Sequence, residues 1–307
     1  MRPAAVRPVR TSWSRSRVAA TRTSRWCSTP LASALREAAR KGRTIVVPYL
    51  LVDRGRARGL DATVAALVRG GASALELGFP FSDPIADGTV LEAAHDRALR
   101  NGTTWDDLQR ACRVASARLP VAVMTYANPL WHRGLDRAIR ELARSGATGL
   151  IVPDLSYEER GPFVRSARAH GLALVLLGAP GIAAARMRAI ASSARGFVYL
   201  VGQYGTTGTA RAGARVDLRP LVRAARAGAD GRPVLLGFGV RDRTTAARAL
   251  ASGADGVIVG TALEERLERR AAPAELERWI RSIASARPSS GARASPTPKR
   301  AVAVRRP

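Results

Sequence analysis

Between residues 44 and 284 the chain alternates short, β-branched apolar runs with longer Ala-, Arg- and Leu-rich stretches, and it does so eight times. The runs are Thr44–Leu51, Ser73–Leu77, Val121–Thr125, Gly149–Val152, Ala173–Leu177, Phe197–Val201, Pro233–Phe238 and Gly256–Val259. Each is followed by a stretch with helical character: 61–70, 104–117, 136–145, 158–169, 183–193, 217–227, 243–252 and 262–270. Strands that are apolar along nearly their whole length are buried on both faces, the pattern of a parallel sheet clothed in helices. Eight such units predict an α/β protein with a closed (β/α)8 barrel of the TIM type rather than an open doubly wound sheet. Asp61, Thr104, Asp136 and Asp217 suit helix N-termini, and Gly146, Gly171, Gly228 and Gly253 suit C-termini.

The barrel is predicted to occupy residues 41–285, with basic, disordered extensions at 1–40 and 286–307. Charge separates them. Residues 1–43 hold eleven Lys/Arg against one acid, Glu37, and residues 285–307 hold six against none, so the ends supply most of the formal +26. No aromatic residues interleave with the basic ones in a nucleic-acid-binding pattern, and solvated tails are the favoured reading over an Arg-rich nucleic-acid-binding barrel. The first 30 residues share their Arg/Ser-rich, acid-poor composition with organelle transit peptides, with overextended starts and with plain disordered extensions. No run of 18 apolar residues exists to span a membrane. Cys27 and Cys112 show neither metal spacing nor a disulfide framework, which makes a reducing cytoplasm the default location.

Reactive groups of such barrels lie at the C-terminal strand ends and in the loops that follow. Glu76 falls within the second strand, where alternation sends Leu75 and Leu77 to one face and Glu76 to the other, into the barrel. A carboxylate there is costly to bury, because desolvation disfavours its charged form. Asp83 and Asp87 follow in a Pro-rich turn. Asp83 fits ordinary turn chemistry, whereas Glu76 and Asp87 at one strand end form a pair able to divide acid and base roles. Glycines after the last three strands (Gly205 and Gly208, Gly237 and Gly239, then Gly260 before Thr261) let backbone N–H groups approach an anion and point to a phosphorylated substrate. Tyr126 and Asn128 end the third strand, Asp154 the fourth, and Tyr199 lies inside the sixth. His95, His132 and His170 show no ligand spacing and are read as non-catalytic; no metal site is expected.

Taken together, Leu75-Glu-Leu-Gly-Phe-Pro-Phe-Ser-Asp-Pro-Ile-Ala-Asp-Gly88, Met124-Thr-Tyr-Ala-Asn-Pro129, Val152-Pro-Asp-Leu155, Gly205-Thr-Thr-Gly208, Gly237-Phe-Gly-Val240 and Gly253-Ala-Asp-Gly-Val-Ile-Val-Gly260 resemble the tryptophan synthase alpha chain family over about residues 44–270. The first piece is specific to that family, and the last two are shared by many phosphate-binding barrels. The resemblance implies retro-aldol cleavage of indole-3-glycerol phosphate to indole and glyceraldehyde 3-phosphate, without metal or cofactor in this chain. It implies Glu76 as the acid/base and Asp87 as the acceptor of the indole N–H. Tyr49 and Leu51 would line the indole pocket, with Tyr126 and Tyr199 as further substrate contacts and Thr207 on a closing lid. Gly208, Phe238, Gly239, Gly260 and Thr261 would hold the phosphate. It further implies a beta chain carrying pyridoxal phosphate, joined in an alpha2beta2 heterotetramer. One stretch departs from the family: its usual Thr-x-Gly-Asp-Pro turn after the first strand, where it meets the beta chain, reads Leu51-Val-Asp-Arg-Gly55 here. A free-standing indole-releasing lyase and a catalytically weak regulatory homologue are the alternatives.

Overall fold

The computed structural model describes residues 29–202, 217–237 and 239–288. Eight parallel strands close into a barrel in sequence order: β1 (Ile45–Leu51), β2 (Leu75–Gly78), β3 (Val121–Met124), β4 (Ala147–Ile151), β5 (Ala173–Gly178), β6 (Val198–Val201), β7 (Val234–Gly237) and β8 (Gly256–Val259). Closure is made by β8 against β1, with Ile45 opposite Gly256 and Pro48 opposite Val259.

Around the barrel stand α1 (Pro30–Arg40), α2 (Leu60–Gly70), α3 (Thr89–Arg100), α4 (Trp105–Ser116), α5 (Ala127–His132), α6 (Leu135–Arg144), α7 (Gly161–Ala169), α8 (Ala184–Ser193), α9 (Arg219–Ala229), α10 (Arg243–Ala251), α11 (Thr261–Glu268) and α12 (Pro273–Ala284). Eight of these are the helices expected from the alternation. The other four, α1, α3, α5 and α12, are additions to it.

The strand alternation sorts the core into two layers. Val46, Leu50, Leu75, Leu77, Val121 and Val123 face outward and pack against the helices. Ile45, Val47, Ala74, Ala122, Ile151, Val175, Phe197, Leu235 and Ile258 face inward. Helix α1 joins this inner layer, because Leu31, Leu35 and Ala38 are buried in it. Its Thr29 hydroxyl accepts from the Ala32 amide and Pro30 opens the first turn, the signals of a deliberate helix start. The boundary expected at residue 41 is therefore too late. Arg36, Arg40, Lys41 and Arg43 make this segment resemble the basic tail, but its apolar positions at helical spacing plug the barrel.

Local signals hold with small displacements. Thr104 caps α4, its backbone N–H donating to Asp107 Oδ2 at 2.9 Å. Asp61 and Asp136 lie one residue inside their helices, where a carboxylate still favours the N-terminal dipole. Asp217 precedes α9 and accepts from the Arg219 amide at 3.0 Å. Gly146, Gly171 and Gly253 take positive φ after their helices. Gly228 does not end α9: it lies within it, where an added Cβ would stand 2.2 Å from the Arg188 carbonyl oxygen of α8. Its role is close helix approach, and the left-handed residue after the helix is Asp230.

Candidate active site

The C-terminal mouth of the barrel opens into a cavity of about 280 Å3. Glu76 and Asp87 line it together with Tyr49, Tyr199 and glycines at and just after the ends of β7 and β8. Glu76 is fully buried, and among the described residues neither of its carboxylate oxygens has a hydrogen-bond partner. Its strand neighbours explain the position. Tyr49 of β1 and Ala122 of β3 stand in register on either side of it. Burial, with the nearby charge of Asp87 adding to it, raises its pKa from 4.5 to about 8. Near neutral pH this side chain is predominantly a carboxylic acid, with a proton to give and a second oxygen able to accept one.

Asp87 is also buried and is engaged through one oxygen. Tyr126 Oη donates to its Oδ2 at 2.7 Å, and His95 Nε2 lies 3.4 Å from the same oxygen. The Tyr126 hydroxyl in turn accepts from the Ala86 amide at 3.0 Å. Phe81 stacks on the Tyr126 ring with centroids 5.1 Å apart, which fixes the loop between β2 and α3 over the site. Asp83 is exposed and serves the turn, its carbonyl accepting from the Ile85 amide at 2.8 Å.

Two tyrosines wall the cavity, and each needs a glycine in the strand beside it. A Cβ on Gly78 would stand 2.2 Å from Tyr49 Oη, and one on Gly237 would stand 2.4 Å from Tyr199 Oη. Glycine at these strand ends leaves room for the phenols to lie across the mouth. Burial, reinforced by the charges of Asp87 and Glu76, pushes both phenols well above their usual range, and Tyr126 is raised as well. All three remain hydroxyl donors.

Gly239, Gly260 and Thr261 line the same cavity, with Gly260 at the N-terminus of α11. An anion there meets backbone amides and the positive end of a helix dipole. Leu51 is placed differently from its expected role. It packs with Tyr49, Leu91 and Met124 and lines a separate cavity of about 90 Å3, so it supports the wall from behind. Thr207, Gly208 and Phe238 lie outside the described residues.

Two residues of the site escaped the reading of the sequence. His95, read as non-catalytic, is buried against Asp87, with its Nδ1 accepting from the Phe81 amide at 3.0 Å. Its helix, α3, was not anticipated, and the Asp87-Gly88 turn before it concealed that a helix face would point at the site. Arg241 lines the cavity beside Gly239 and pairs with Glu265 of α11. Its place directly after Gly237-Phe-Gly-Val240 was the available signal. The other sequence candidates are structural: Asp154 accepts from the Ala127 amide at the start of α5, and His170 pairs with Asp136. Among the described residues, no group of three or more His, Cys, Asp and Glu is arranged to hold a metal ion.

Fold and site together define a (β/α)8-barrel protein whose mouth carries a neutral buried acid, an oriented carboxylate and glycines at a helix N-terminus. The family model for the tryptophan synthase alpha chain matches residues 35–287. The tryptophan synthase alpha chain of Streptomyces avermitilis is 41% identical over 234 residues, covering 76% of this chain and 83% of the relative. That of Synechococcus elongatus is 39% identical over 232 residues, 75% of this chain and 86% of the relative. Among solved structures, a chain of Mycobacterium tuberculosis tryptophan synthase superposes with a TM-score of 0.75 at 33% identity, covering 84% of this chain and 97% of its own. The chain belongs to the tryptophan synthase alpha chain family, and with it to the lyases of tryptophan biosynthesis.

Proposed function

We propose that the chain is the alpha subunit of tryptophan synthase and cleaves indole-3-glycerol phosphate to indole and glyceraldehyde 3-phosphate, a carbon–carbon lyase reaction. The observation that carries this reading is Glu76: a fully buried carboxylic acid whose two oxygens have no hydrogen-bond partner among the described residues, facing the cavity. A retro-aldol cleavage needs a proton delivered to indole C3 and a proton removed from the adjacent side-chain hydroxyl. The electron pair of the breaking carbon–carbon bond returns to the ring as that hydroxyl carbon becomes the aldehyde. One protonated carboxyl group facing the cavity is suited to both transfers.

Asp87 accepts a hydrogen bond from the indole N–H and stabilises the positive charge that C3 protonation places on the ring nitrogen. Tyr49 and Tyr199 enclose the ring and the side-chain hydroxyls. Gly208, Phe238, Gly239, Gly260 and Thr261 hold the phosphate, and Thr207 belongs to a lid that closes over the substrate. In this reading the chain needs no cofactor of its own. Its partner is a beta chain carrying pyridoxal phosphate, in an alpha2beta2 assembly in the cytoplasm.

The test is indole release from indole-3-glycerol phosphate by wild type and Glu76→Gln, each with and without a beta subunit. Release by wild type and its near-complete loss in Glu76→Gln are expected, with a rise on adding the beta subunit. Silence of the wild type in both settings would reject the reaction.

A further inference from the structure

Backbone amides of the loop after β2 dictate where two side-chain protons sit. The Phe81 N–H donates to His95 Nδ1 at 3.0 Å. Only an unprotonated ring nitrogen accepts, so the proton of the neutral imidazole belongs on Nε2. That nitrogen faces Asp87 Oδ2 at 3.4 Å and Tyr49 Oη at 3.5 Å. The Ala86 N–H likewise donates to Tyr126 Oη, which turns the phenolic proton toward Asp87 Oδ2 at 2.7 Å. Among the described residues, the Tyr126 hydroxyl bonds and the His95 Nε2 faces the same oxygen of Asp87, and Oδ1 is left to another partner.

We infer that His95 is a positioning residue: as the Nε2–H tautomer it holds Asp87 through Oδ2, so that Oδ1 is presented to the substrate N–H. This rests on the reading above that Asp87 meets the indole nitrogen. The imidazole does not touch substrate; its effect passes through the carboxylate. At 3.4 Å the contact is long for a charge-assisted bond. The arrangement also ties Tyr49 to the same imidazole. One buried ring thus links the carboxylate to the wall of the indole pocket. Because the amide donors come from the loop carrying Asp87, loop conformation and proton placement are set together.

Two measurements test this. In the first, His95→Leu keeps apolar bulk but removes the ring donor, whereas His95→Gln can accept from Phe81 N–H through its amide oxygen and donate to Asp87 through its NH2. Loss of one hydrogen bond to a charged group predicts a fall in kcat of roughly 10- to 100-fold for His95→Leu, with KM within about twofold of wild type. His95→Gln is expected to recover most of that loss. Equal losses in both variants, accompanied by lowered thermal midpoints, would reduce His95 to a packing residue.

The second does not depend on activity. Long-range proton–nitrogen NMR of histidine-labelled protein, with His95→Gln used to assign the signal, should report a neutral Nε2–H imidazole. A proton on Nδ1 overturns the proposal even if the enzyme is active. If the wild type releases no indole yet the Nε2–H tautomer is found, it is the functional reading that fails and the geometry that stands.

Discussion

Replacing Glu76 by Gln should change how stability depends on pH, independently of catalysis. In the folded chain Glu76 binds its proton up to about pH 8, whereas in the unfolded chain it releases it near 4.5. The folded state therefore holds the extra proton between these values. The group's contribution to stability is complete below about 4.5 and is lost as pH rises through about 8. The slope is about 1.4 kcal/mol per pH unit, and the whole interval is worth about 5 kcal/mol. Gln has nearly the same shape and does not titrate. Between pH 5.5 and 7.5 the variant should therefore gain about 3 kcal/mol relative to wild type. For a domain of this size that is roughly 5–10 °C in the difference between their thermal midpoints. Scanning calorimetry of both proteins at matched pH and scan rate measures it. Any fixed cost of burying the amide cancels, because it does not vary with pH. A difference that stays constant from pH 5.5 to 7.5 would refute the argument, since Glu76 would then titrate at its ordinary value with its burial relieved.

The same proton sets a catalytic limb. If protonated Glu76 is the form that meets substrate, kcat/KM for indole release should decline as pH rises past about 8, and a flat profile to pH 9 would count against it. Arg241 is the one cation among the described residues lining the cavity, which also holds Asp87 and Glu265. Arg241→Ala should raise KM for a phosphorylated substrate roughly 10-fold with little change in kcat, and inhibition by inorganic phosphate should weaken in parallel. Leu31→Ala, which hollows the closed end of the barrel, should lower stability by about 2–5 kcal/mol in denaturant or thermal unfolding. The Glu76 and Asp87 geometry lies at the other end, so its kcat should be nearly that of wild type.

What the sequence made legible follows from which forces act locally. Strand burial on both faces is written as uninterrupted apolar runs, so all eight strands were found within one or two residues of their observed ends. Glu76 stood out because a carboxylate inside such a run violates the pattern, and its inward direction follows from simple alternation. The missed helices obey other rules. α1 is amphipathic, but its Leu31 and Leu35 lie among arginines that resemble the tail, and their partners, Phe197, Val175 and Ile151, are far along the chain. His95 was invisible for a related reason. A histidine on one face of a helix has no signature until the fold brings Phe81 N–H and Asp87 to its two nitrogens.

The first loop shows how a departure from family sequence can be absorbed. Asp53 stands in the altered turn and is buried, with Oδ1 accepting from Gly55 N–H and from Asn101 Nδ2, both at 2.8 Å. Its Oδ2 accepts from Arg97 Nε at 3.0 Å. Arg97 reaches on to Glu264 and Glu268 of α11 at 2.7 and 2.6 Å, and Arg56 meets the same two carboxylates at 2.6 Å. Glu264 is nearly as buried as Asp53, so removing either arginine would leave an undercompensated charge in low dielectric, a more costly change than losing a surface pair. The turn that lacks the usual Gly and Asp-Pro is thus held by ion pairs to α3 and α11. Those two helices carry His95 and begin at the glycine rim, respectively. The new loop chemistry therefore braces the frame of the site from outside while leaving Glu76 and Asp87 untouched.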